Sequence, residues 1–161
     1  MFSIFKIFRK KKVIPHIRLS GVIGSVGKFK QGLNFASQQE IIEKAFSVKK
    51  AQAVAISINS PGGSPVQSHL IYSCIRKQAK KNKKKVLVFA EDVAASGGYL
   101  IACAGDEIYA SSSSIIGSIG VIYAAFGLQD LIKKAGIQRR IYTAGKNKST
   151  LDPFVEEKKE D

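Results

Sequence analysis

Cysteine is scarce in this chain, with only Cys74 and Cys103 among 161 residues. Each sits inside an apolar helical stretch. Two such thiols exclude a disulfide framework and offer no metal-ligand spacing, so both read as small buried hydrophobes. Histidine is equally scarce. His16 lies in a strand-like N-terminal segment and His69 on the edge of a helix, and neither suits a Ser-His pair. No metal or other cofactor is implied. Long hydrophobic runs are missing as well. The longest uncharged stretch, Ile108 to Gln129, contains Ser111 to Ser114, Gly117, Ser118 and Gly120 and divides into strand, turn and strand. That excludes it as a membrane span.

Acidic residues are few, 12 against 26 Lys and Arg, for a net charge of +14. The excess is local. Lys6, Arg9, Lys10, Lys11 and Lys12 form one block; Arg76, Lys77, Lys80, Lys81, Lys83, Lys84 and Lys85 form another that contains no acid. The second block ends a helix, where the dipole favours cations. Few aromatics interleave with it and no nucleic-acid module is visible, so a nucleic-acid partner is not expected. The first block follows Met1-Phe2-Ser3-Ile4-Phe5-Lys6-Ile7-Phe8, too short to span a bilayer and without the cleavage site of a secretory signal. Phe and Ile beside a basic cluster suit either an interfacial anchor on an anionic membrane or a disordered tail. The expected location is cytoplasmic, or peripheral on a membrane.

What is present is enough apolar chain, 45% of residues, for one cored domain. Residues 1–12 read as a basic tail and 13–161 as the domain. The pattern predicts strand-rich chain over 14–26, a helix over 37–48, a strand over 53–58 and a helix over 64–82. Val66, Leu70, Ile71, Cys74 and Ile75 line one face of that last helix. A strand over 86–90, a helix over 97–104 and a strand over 107–110 follow. An apolar segment over 115–123, a helix over 126–135 closed by Gly136 and a strand over 137–143 complete the order. Such alternation implies an α/β fold with helices covering a sheet. Asp152-Pro153, followed by Glu156 and Glu157, predicts a last short helix.

Two strand ends carry chemistry. Ala94-Ala95-Ser96-Gly97-Gly98-Tyr99 sets a serine among small residues between an apolar strand and an apolar helix. Free N–H groups and the dipole at a helix N-terminus favour negative charge there, as acyl transfer by a serine nucleophile requires. The plainer reading is a Ser N-cap. Asn59-Ser60-Pro61-Gly62-Gly63-Ser64 ends a second apolar strand in a Gly-Gly turn that exposes backbone N–H groups, material for an oxyanion hole. Gly145-Lys146-Asn147-Lys148-Ser149 offers lysines that act as a base only if burial or a nearby cation lowers their pKa.

The segments NSPGGS, EDVAASGGYLIACAGDEIYA, SSSSIIGSIGVI and AGKNKS, in this order and spacing, resemble the signal peptide peptidase family of serine peptidases. The resemblance runs from about Ile14 to the C-terminus. It implies a Clp-protease/crotonase-like fold of repeated β-β-α units and a Ser/Lys dyad. The family's nucleophile falls on Ser96 and its base on Lys148, with Lys146 the fallback. The oxyanion donors fall on the backbone N–H groups of Gly63 and Gly97. Also implied are peptide substrates such as signal-peptide remnants, ring-like homo-oligomers, and an extended substrate paired along Ile115–Ile122. Family members continue beyond the point where this chain stops, so the resemblance reads it as C-terminally incomplete. The alternative is a catalytically inactive homologue acting as an assembly or regulatory module. A crotonase-type acyl-CoA enzyme shares the oxyanion logic but leaves Ser96 and the Gly-x-x-Lys pattern without a role.

Overall fold

In the computed structural model, residues 13–24, 32–122, 124–144 and 152–155 are described. The chain divides into two compact units at residues 120/121. The first alternates strand and helix: β1 (His16–Ser20), α1 (Phe35–Ser47), β2 (Ala53–Ser60), α2 (Pro65–Asn82), β3 (Lys85–Ala95), α3 (Gly97–Ala102), β4 (Glu107–Ala110) and β5 (Ile115–Gly117). All strand pairs are parallel, in the order β1-β2-β3-β4, with β5 also on β3. The α/β expectation is therefore met.

The β-β-α repeat is visible in how each strand ends. After β1 comes Ile23, which bridges Gly63, the residue in the same position after β2. The first half of β3 (residues 87–90) pairs β4, and its last residues (93–95) pair β5. The predicted 86–90 strand extends to Ala95 because its second half finds β5 as a separate partner.

Alternation along the strands sets the core. Ile17, Leu19, Val54, Ile56, Ile58, Val86 and Val88 are buried, joined by Ile42 and Phe46 of α1, Ile71 and Ile75 of α2 and Ile101 of α3. Burying each such side chain contributes roughly 1.5–3 kcal/mol. The intervening residues form a mixed sheet face, with Phe89 stacked on Tyr109 and a polar set beside it. There Arg18 makes paired bonds to Glu91 (3.1 and 2.8 Å), His16 Nε2 lies 3.0 Å from Ser57 Oγ, and Asn59 donates to Asp92 (2.9 Å). The Glu91 carboxyl is held below its ordinary range by that Arg18 bond.

Some expectations are corrected. On α2 the buried face is Ser68, Ile71, Cys74, Ile75 and Ala79, while Val66 and Leu70 point outward. Cys103 is exposed, because α3 ends at Ala102 and turns it away from the core; Cys74 is buried. Within the apolar 115–123 segment, Ile115–Gly117 is the strand among the described residues.

In the second unit the predicted 126–135 helix is the shorter α4 (Gln129–Lys134), with Gly136 at φ +67° just beyond it. Residues 137–143 are not a strand: a strand needs a ladder, and among the described residues none pairs with them. Asp152–Val155 is a turn in which Asp152 Oδ1 accepts from Phe154 N–H (3.0 Å); the rest of the helix predicted there lies outside the described residues. Arg139 closes this turn with a 2.6 Å ion pair to Asp152 and a cation–π contact to Phe154.

Candidate active site

β2 and β3 are adjacent and parallel, so the Pro61-Gly62-Gly63 turn and the Ser96 turn emerge side by side at the C-terminal end of the sheet. That is where open parallel sheets place their ligands. Ser60 pairs with Ala94, and both chains turn immediately afterwards.

Ser96 is half-buried, with φ +52° and ψ −119°. An N-cap residue has extended dihedrals and a side chain bonded to the first turn; Ser96 has neither. The plain cap reading is therefore wrong here. A non-glycine residue in this conformation stores roughly 1–3 kcal/mol, which the surroundings must hold in place. Two features do so: Ser96 N–H donates to Gly117 O (2.7 Å), and Leu100 N–H donates to Ser96 O (2.9 Å). With the hydroxyl withdrawn from capping, the first-turn N–H groups of Gly97 and Gly98 lack an intrahelical partner and receive none from this serine.

The glycines are required by close approach. A Cβ on Gly62 would lie 2.8 Å from Ala95 O, Gly97 N and Ser96 Cβ, so the first turn is pressed directly against the second. A Cβ on Gly97 would run into Ser68 Oγ, and one on Gly98 would meet Ser60 O at 2.7 Å. α3 can begin where it does only because both its first residues are glycine.

Gly63 is fixed from its far side. Ile23 N–H donates to Gly62 O and Ser64 N–H donates to Ile23 O, both at 2.8 Å. In a parallel bridge this leaves the N–H of Gly63 itself pointing away from Ile23, toward the side on which β3 ends. Ser96, Gly97 and Gly63 are thus brought to one place. Lys146 and Lys148 lie outside the described residues. His16 is engaged with Ser57, and exposed His69 with Ser73 (3.3 Å) and Tyr72.

Three residues support the site, of which Ser68 escaped the sequence reading. Gly62, Ser60 and Ser68 hold the two turns together: Ser60 Oγ accepts from Gly62 N–H (3.1 Å), and buried Ser68 donates to Ser64 O (2.8 Å). For Ser68 a signal existed, since a small polar residue occupies the apolar helix face one turn before Ile71.

Comparison with known proteins follows this geometry. The signature of Peptidase family S49 matches residues 78–161. A protein of Arabidopsis thaliana named Serine protease SPPA, chloroplastic, is 38% identical over 130 residues, covering 76% of this chain and 19% of that protein. A protein of Brucella melitensis biotype 1 named Na(+)/H(+) antiporter NhaA is 62% identical over 149 residues, covering 92% of this chain and 20% of that protein. The chain thus spans about a fifth of the length of these relatives. Among the described residues no helix is long and apolar enough to cross a membrane. Among solved structures, ClpP1 from Listeria monocytogenes superposes with a TM-score of 0.40 at 22% identity, over 56% of this chain and 46% of that one. On the strength of that signature, which spans more than half of its residues, the chain belongs to Peptidase family S49.

Proposed function

We propose that the chain is a serine endopeptidase of the Ser/Lys type that cleaves signal-peptide remnants or other membrane-proximal peptides. The observation carrying this reading is the strained Ser96, withdrawn from capping, with the Gly62-Gly63 turn packed on it. In this reading Ser96 Oγ attacks the scissile carbonyl and the neutral amine of Lys148, or failing that Lys146, accepts its proton. The N–H groups of Gly63 and Gly97 hold the oxyanion. The lysine then protonates the leaving amine, and water hydrolyses the acyl-enzyme by the same route. Ile115–Ile122, beside Ser96 through the Gly117 bond, offers an extended substrate a backbone to pair with. The family name of the Arabidopsis relative supports the peptidase class; self-assembly into a homo-oligomer is part of the same reading. Residues 1–12, apolar and then basic, suit peripheral attachment to an anionic membrane.

Labelling with a fluorophosphonate tests the reading. The wild-type chain labels on Ser96, and Ser96→Ala loses the label and the peptidase activity by several orders of magnitude. Lys148→Ala loses activity similarly, while Lys146→Ala keeps most of it. A label that persists in Ser96→Ala and maps elsewhere refutes the nucleophile. Wild-type protein that neither labels nor cleaves supports the inactive assembly module instead.

A further inference from the structure

Parallel strands give the first unit two unlike ends. The serine and glycine turns occupy the C-terminal ends of β2 and β3. At the other end lie the N-terminal residues of those strands, Ala53 and Lys85, paired in register. With β3 rising about 3.3 Å per residue, the two ends are about 30 Å apart.

Cations converge on the second end from separate parts of the chain. α2 terminates there, with Lys83 in the left-handed conformation (φ 52°, ψ 47°) and its N–H on Ala79 O and Lys80 O. Lys84 Nζ then donates to Phe46 O (2.7 Å) and Val48 O (2.6 Å), which draws the C-terminus of α1, with Lys49-Lys50, against the end of α2. Of the cations gathered here, Arg76 is engaged by Asp106 and Ala104 O, Lys85 by Glu107, and Lys84 by those carbonyls. Lys49, Lys50, Lys77, Lys80, Lys81 and Lys83 are exposed, and among the described residues none has an acidic partner. A depression of about 460 Å³ lies among Arg76, Lys77, Lys80, Lys83, Lys84 and Asp106.

A helix dipole accounts for cations in the last turn. It does not account for Lys77, a turn earlier, nor for the convergence of two helix C-termini, with Lys49-Lys50 beyond α1, on one end of the sheet. β1 also enters the sheet from this end, since His16 pairs with Ala55 and Ala55 with Leu87. In sequence, residues 1–12, with Phe2, Ile4, Phe5, Ile7 and Phe8 followed by the other basic block, precede β1.

We propose that this end of the molecule, Lys49-Lys50 with Lys77, Lys80, Lys81 and Lys83, is a docking surface for an anionic membrane. It holds the Ser96 end on the side away from the lipid. Clustered lysines act as point charges toward lipid headgroups, and no exposed aromatic platform for stacking bases lies among them. The inference extends the peripheral-membrane reading from residues 1–12 to the folded surface, and its test separates the two.

The full chain is sedimented with phosphatidylcholine vesicles and with phosphatidylcholine/phosphatidylglycerol vesicles at rising salt. Wild type binds only the second kind, and salt releases it. Each lysine at such a surface contributes about fivefold to binding, so Lys77→Gln, Lys80→Gln, Lys81→Gln and Lys83→Gln together, with residues 1–12 intact, weaken it more than about tenfold. Glutamine removes charge without opposing the helix dipole. Circular dichroism reports whether the fold is retained; if it is not, Lys49→Gln with Lys50→Gln serves instead, with a loss of at least about fivefold. Substituting Lys10, Lys11 and Lys12 by Gln gives a second, separable loss. Folded patch variants that bind like wild type overturn the proposal. So does wild type indifferent to phosphatidylglycerol, or duplex DNA or RNA that displaces it from vesicles at equal phosphate. None of these readouts depends on peptidase activity.

Discussion

The two units of this chain are both rich in apolar residues and use them in opposite ways. Among the described residues, the buried hydrophobic side chains fall between Ile17 and Ala104. The most exposed ones lie mainly in the second unit: Val121, Ile122, Phe126 and Tyr142 are 84–91% exposed, and α4 buries none of its residues. Composition does not separate these regions; partnering does. Up to Ala104 the inward-facing apolar residues of β1, β2 and β3 pack with helices that the chain itself returns across the sheet. Beyond it, the described residues offer no second layer.

The largest effect expected on stability tests that contrast directly. Ile56→Ala, at a site with no exposure, removes packed methyl groups from the centre of β2 and costs about 2–5 kcal/mol in denaturant unfolding. Ile122→Ala and Phe126→Ala, at 91% and 85% exposure, cost less than about 0.5 kcal/mol in the same measurement. If the latter pair cost as much as Ile56→Ala, their side chains are buried in solution and the contrast fails. A concentration-dependent loss of stability in those variants assigns the burial to a second copy.

The next effect distinguishes glycines needed for space from glycines needed for conformation. Gly62→Ala combines a left-handed φ of +98° with a Cβ 2.8 Å from three atoms of the Ser96 turn. It is expected to cost about 2–4 kcal/mol and to lose fluorophosphonate labelling, since the serine is displaced. Gly120→Ala has φ +143° but meets nothing within 4 Å, so only about 1–2 kcal/mol of backbone strain is expected, read by thermal melting. Equal losses at the two sites place packed neighbours around Gly120 in solution.

The sequence made most of the first unit legible for the reason that this contrast identifies. Strands and helices that bury one face on each other write that burial into their periodicity, so β2, α2, β3 and β4 emerge within a few residues of their observed bounds. The turn chemistry was legible too, because Pro, paired Gly and a lone Ser between apolar runs are local signals. Contacts across the chain were not. Nothing local says that Val66 faces outward while Ser68 faces in, that Cys103 is exposed, or that Ser96 makes no cap. Each is decided by where α3 lands on Ser60 and Ser68. The strand predicted over 137–143 failed in the opposite direction: Ile141-Tyr142-Thr143 favour a strand, but a ladder needs a partner edge, and among the described residues none pairs with it.

The smallest effect concerns pH and sharpens the contrast at its boundary, where the buried region ends. Asp106 follows Ala104 and joins three elements. Its carboxylate accepts from Val86 N–H at the start of β3 and from Arg76 of α2, each at 2.8 Å, and Arg76 also reaches Ala104 O. The Val86 N–H, more than the opposing burial, and then the Arg76 guanidinium hold this carboxyl below its ordinary value of 3.8. A depressed carboxyl contributes stability that is present above its unfolded pKa and lost as pH falls through the lower folded value. Asp106→Asn should therefore melt lower than wild type near neutrality, by one to a few degrees given the partial solvent screening of the pair. That gap should narrow as pH drops below about 4, where wild type loses the same charge. A gap that stays constant down to pH of about 2.5 would show that Asp106 acts through shape alone. The ion pair would then contribute nothing to holding α2, β3 and β4 together.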